Sequence, residues 1–116
     1  MTAEGLRLYS KRDREGFIKE IAEASLLGEI NWDLRCFFDA GRGSLATYEI
    51  ENKVILVSHP SPFNYELFVL TLDEKGDLEQ TDQFALREAY EVYAAILTRI
   101  RYQKRETSQT VELLTI

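Results

Sequence analysis

The strongest constraint on the fold is a switch, in the middle of the chain, to a hydrophobic period of two cut by short turns. In INWDLRCFFD, Ile30, Trp32, Leu34, Cys36 and Phe38 share one face, and Asn31, Asp33, Arg35, Phe37 and Asp39 the other. That alternation predicts a half-buried strand. AGRGS supplies a turn, LATYEIE alternates Ala46, Tyr48 and Ile50 against Leu45, Thr47 and Glu49, and Glu51 with Asn52 turns the chain again. KVILVS is a short β-branched run. HPSPFN reads as a loop, because each proline removes a ladder donor and restricts the residue before it. YELFVLTL is the fourth strand, closed by DEKGD around Gly76. Connections this short join antiparallel neighbours, so a four-stranded meander is predicted.

Helical periodicity brackets the meander. Phe17, Ile18, Ile21, Ala22, Ser25 and Leu26 recur on one face, which places a helix over residues 11–27. Ser10 stands where a cap belongs, Asp13 follows at capping-box spacing, and Gly28 is placed to end the helix. A second, longer helix is expected from Asp82 to Lys104, with Leu86, Ala89, Tyr90, Tyr93, Ile96, Leu97 and Ile100 as its apolar stripe. Arg99, Arg101, Lys104 and Arg105 crowd its expected C-terminal end, where cations complement the helix dipole. Residues 106–116 remain as a flexible or strand-adding tail.

The sum is an α+β two-layer sandwich, ordered α-β-β-β-β-α, with residues 1–116 read as one domain. One pattern does not fit a sheet covered on one side. Phe37, Leu45, Leu56 beside Ile55 and Phe68 beside Val69 put apolar side chains on both faces. Either a second cover or self-association as a homodimer is implied, and VELLTI is a candidate cover.

Charge narrows the partners. The net charge is −6, which opposes generic nucleic-acid binding, since phosphates demand a basic footprint. Residues 66–91 hold Glu66, Asp73, Glu74, Asp77, Glu79, Asp82, Glu88 and Glu91 against Lys75 and Arg87, so the deficit lies in the middle of the chain. A single cysteine forms no intrachain disulfide, no Cys/His cluster has zinc spacing, and the N-terminus lacks the apolar core of a secretory signal. With no membrane-length apolar run, a cytoplasmic protein is expected.

Candidate chemistry weakens when each residue is placed. Cys36 sits between Leu34 and Phe38 on an apolar face, the setting of a small buried hydrophobe rather than of a thiol–imidazole pair with His59. Ser58 and Ser61 adjoin His59 too closely in sequence for triad geometry. GRGS lacks the length and lysine of a phosphate loop, and Asp73, Glu74 and Asp77 lack calcium-loop spacing. Asp33 and Asp39 share a polar face without a sugar cleft to serve. No cofactor or metal is implied.

The expected function is therefore non-enzymatic: a small acidic module acting through protein–protein contact as an adaptor, chaperone or inhibitor. Its partner would carry a basic surface, and carboxylates standing in for phosphates toward a nucleic-acid-binding protein would be one version. Arg35, Phe37, Arg42, His59, Phe63 and Tyr65 are the expected contact residues. The alternative is binding of an anionic, nucleotide-like molecule through Arg99, Arg101, Tyr102 and Arg105. Arg101 and Arg105 share a helix face, while Arg99 lies about 200° from Arg101.

Overall fold

In a computed structural model, residues 13–35 and 43–115 are described, with side chains given as far as Gln103. Helix α1 spans Arg14–Leu26 and is capped by Asp13, whose carboxylate accepts from the Gly16 N–H at 3.2 Å. The cap is thus Asp13 rather than Ser10, which lies outside the described residues. At the other end, the Gly28 N–H donates to the Ser25 carbonyl at 3.2 Å and the Glu29 N–H to that of Ala24 at 2.9 Å. These two bonds are the Schellman closure of a helix, and they require the left-handed conformation that Gly28 adopts with φ of +74°.

Five strands follow among the described residues: β1 Asp33–Arg35, β2 Ser44–Ile50, β3 Lys53–Ser61, β4 Asn64–Leu72 and β5 Leu78–Gln83. They form one antiparallel sheet in sequence order. Helix α2, Leu86–Thr115, completes an α+β fold. Register places Leu34, Ala46, Val57 and Leu67 in one row, and Tyr48, Ile55, Val69 and Asp82 in the next. Both helices close over these rows. Phe17, Ile18, Ile21 and Ala24 of α1, with Ala89, Val92, Tyr93 and Ile96 of α2, share one core with them. The α1 end of this layer is tied to β5, where the Arg14 guanidinium donates to the Gln83 carbonyl and lies 4.2 Å from the Phe84 ring centroid.

Several sequence expectations require correction. The sheet has a fifth strand where the long helix was expected to begin: LEQTDQ is polar and shows almost no burial, so it carries no hydrophobic alternation to read. Helix α2 starts at Leu86, where Glu88 reaches back to accept from the Ala85 N–H at 3.0 Å, half of a capping box. It continues to Thr115 through the segment expected to be a tail, for no Gly or Pro interrupts ETSQTVELLT. Arg99, Arg101 and Arg105 consequently lie within the helix, and its last turn holds no basic residue. Dipole complementation does not explain them.

The first strand begins at Asp33 rather than Ile30; Cys36, Phe38 and Asp39 lie outside the described residues. HPSPFN is not a loop either. Strand β3 runs through Pro60 to Ser61, and the register shifts between Ser58 and Ser61. His59 and Pro60 together face Tyr65, a bulge at which proline's missing N–H leaves no ladder bond unmade.

Gly28 yields a direct test of this frame. A Cβ there would lie 2.8 Å from the Arg99 guanidinium in addition to demanding a left-handed alanine. Gly28→Ala is expected to cost about 1–2 kcal/mol in urea unfolding, with an unchanged dependence on denaturant.

Candidate functional site

The period-two alternation that seals one side of the sheet also places apolar groups on the other. Leu45, Leu56, Phe68 and Leu70, with Val54, project from β2, β3 and β4 away from the helices. All are half-buried, which is what their neighbours on the sheet alone would give, and none belongs to the helix-covered core. Thr47, Leu56, Phe68 and Gln83 are successive partners across four strands, so the apolar surface is continuous from β2 to β4. No described helix or strand lies over it. Its rim is charged: Asp33, Glu49 and Glu66 border it, with Arg35 as the cation among them.

The sheet edges are less suited to contact. Strand β1 is three residues long and carries Asp33 and Arg35, while β5 presents Glu79, Gln80 and Thr81. Short, charged edges resist pairing with a further strand. The open face is therefore the surface with the chemistry of an interface, apolar at the centre and acidic around it.

The expected contact residues do not assemble into one site. Arg35 is exposed on the open face, and Phe63 is 91% exposed at the tip of the β3–β4 turn. Phe37 and Arg42 lie outside the described residues. His59 and Tyr65 come together, but on the helix-covered side. His59 is only 8% exposed and stacks on Tyr65 with centroids 4.2 Å apart and planes 12° from parallel. Its Nδ1–H donates to the Asn64 carbonyl at 2.9 Å, an arrangement that fixes the tautomer. Tyr90 and Tyr93 close round Tyr65 at 4.9 and 5.1 Å, and the Tyr93 hydroxyl donates to the Ser44 hydroxyl at 3.3 Å. Every ring here has an aromatic or hydrogen-bonded neighbour, so this cluster terminates the core. Ser58 and His59, adjacent in a strand, point to opposite faces, which removes any pairing between them.

Of the alternative site's residues, the structure brings Arg99 and Tyr102 together. Arg101 is exposed, Tyr102 is 55% exposed, and the Arg105 side chain lies outside the described residues. Arg99 instead turns toward α1, with its guanidinium 5.5 Å from the Tyr102 ring centroid. The open-face residues Val54, Leu56 and Leu70 were absent from the expected site although their signal was present: they fall in the opposite phase from Ile55, Val57 and Val69. Among the described residues no group of three His, Cys, Asp or Glu could hold a metal ion, and no helix is long and apolar enough to cross a membrane. No protein family, curated protein or solved structure matches the chain.

Burial raises the Tyr65 phenol above its ordinary value of 10.0, with Tyr90 and Tyr93 adding to the shift. The folded state therefore favours the neutral phenol, and the unfolded chain loses its proton first as pH rises. That contribution is complete below pH 10.0 and is lost as pH climbs through the folded value. Urea unfolding above that pH should show wild-type stability falling more steeply than that of Tyr65→Phe, whereas the two should run parallel at neutral pH.

Proposed function

We propose that the chain is a protein-binding module that docks a partner on the open face of its sheet. The observation that carries this reading is the continuous surface of Leu45, Val54, Leu56, Phe68 and Leu70, facing away from both helices. Its rim specifies the partner: a protein presenting an apolar strip bordered by Lys or Arg. Asp33, Glu49 and Glu66 would meet those cations, and the exposed Asp73, Glu74 and Asp77 of the β4–β5 turn extend the acidic field that steers them in. Self-pairing through a two-fold axis would set this acidic rim against itself, which disfavours a second copy as the occupant. The role is one of recognition, as in an adaptor, chaperone or inhibitor.

Burying one large apolar side chain contributes about 1.5–3 kcal/mol, so Phe68→Ser alone should weaken such a complex at least tenfold. A photo-crosslinking amino acid at position 68 in living cells, with position 91 on the outer side of α2 as control, tests the assignment. Position 68 is expected to capture a protein through a peptide that is apolar and rich in Lys or Arg, with a lower yield after Glu66→Lys. Capture of acidic peptides, equal capture from position 91, or none would contradict the reading. Capture of a second copy of the chain would replace it with a homodimer.

A further inference from the structure

A separate feature lies on the helix side. Where the C-terminal end of α1 meets the middle of α2, a cavity of about 260 Å³ is lined by Ile30, Trp32, Ile96 and Ile100, with Asn31, Gln103 and Arg99 among the polar groups. Arg99 is the informative member. Its guanidinium lies over Gly28, within 2.9 Å of where a Cβ would stand. Its Nε is buried and has no hydrogen-bond partner.

The carbonyls of Glu23, Ala24 and Ser25 each accept from one of the Leu27, Glu29 and Gly28 N–H groups that close α1. Ser25 Oγ is occupied as well, donating to the Ile21 carbonyl at 2.7 Å and accepting from the Trp32 indole N–H at 3.0 Å. That indole bond fixes Trp32 in place as one wall of the cavity. A half-buried guanidinium whose Nε lacks an acceptor thus lies beside an apolar wall, in a space large enough for a small molecule. Leaving such a group unpaired is costly, and a carboxylate is the acceptor that its geometry fits.

We infer that this cavity binds a small monocarboxylate with a flat or branched apolar body, its carboxylate on Arg99 and its body against Trp32, Ile96 and Ile100. Size supports that class: a cavity of about 150 Å³ is enough to take up benzene, and this one adds room for a carboxylate. A phosphate ester would want more donors than one guanidinium and the neighbouring amides supply. The site lies across the helix layer from the open sheet face, so it does not depend on partner docking there.

Trp32 is the single tryptophan of the chain, which makes the site its own reporter. Benzoate is the probe, with benzamide as its neutral counterpart, followed by Trp32 fluorescence and by the thermal midpoint. Benzoate is expected to give a saturable fluorescence change and to raise the midpoint, with benzamide binding more weakly. Arg99→Gln should weaken benzoate by roughly tenfold or more while leaving benzamide nearly unchanged. The wild-type comparison stands even if that variant folds poorly. No saturable response of the wild type to benzoate at millimolar concentrations, or equal binding of benzoate and benzamide, would overturn the inference.

Discussion

Four aliphatic side chains on two neighbouring strands carry the structure: Ile55 and Val57 on β3, Leu67 and Val69 on β4, none more than 1% exposed. Both helices close over this patch, and their apolar stripes exist to meet it. A one-residue slip of β4 against β3 would turn Leu67 and Val69 outward and bring Phe68 and Leu70 in. The register is held at both ends of the hairpin. The Ser58–Ser61 bulge lies at one end, and at the other Lys53 donates to the Thr71 hydroxyl at 3.2 Å and Asn52 accepts from the Leu72 N–H at 2.7 Å.

That same register decides what remains outside. A sheet whose β3 and β4 are apolar on both faces, with helices on only one, leaves its second face short of cover. The proposed role follows from this asymmetry rather than from any constellation of reactive side chains. In the proposed role, an acidic rim around an apolar centre would both disfavour pairing of the protein with itself and select partners of opposite charge. The Arg99 cavity is a second, smaller consequence of packing: α1 ends on Gly28, and beside it lies a guanidinium whose Nε has no hydrogen-bond partner.

Much of the fold was legible in the sequence because its signals are local. Both helices, the hairpins β2–β3 and β3–β4 and the Gly28 stop follow from periodicity and turn chemistry. What could not be read depended on tertiary placement. LEQTDQ is a strand only because β4 offers it an edge; nothing in its polar residues announces this, and Asp82 accordingly looked like the start of a helix. Pro60 argued for a loop because a bulge that tolerates it is invisible in sequence. His59 looked like a loop tip for the same reason, yet it ends the core beneath Tyr65. The apolar residues of the open face were visible as an excess on the wrong phase. Their assembly into one continuous surface needed the register. Helical spacing already set Arg99 about 200° from Arg101; that it lies over Gly28 at the end of α1 needed the tertiary structure.

The central claim is that the outer face is open in the free protein. Methyl relaxation by a soluble paramagnetic probe, measured on dilute protein, addresses it directly. Leu45, Val54, Leu56 and Leu70 should relax strongly, while Ile55, Val57, Leu67 and Val69 stay shielded. Equal shielding of both sets would mean that the face is already covered, and would contradict the account.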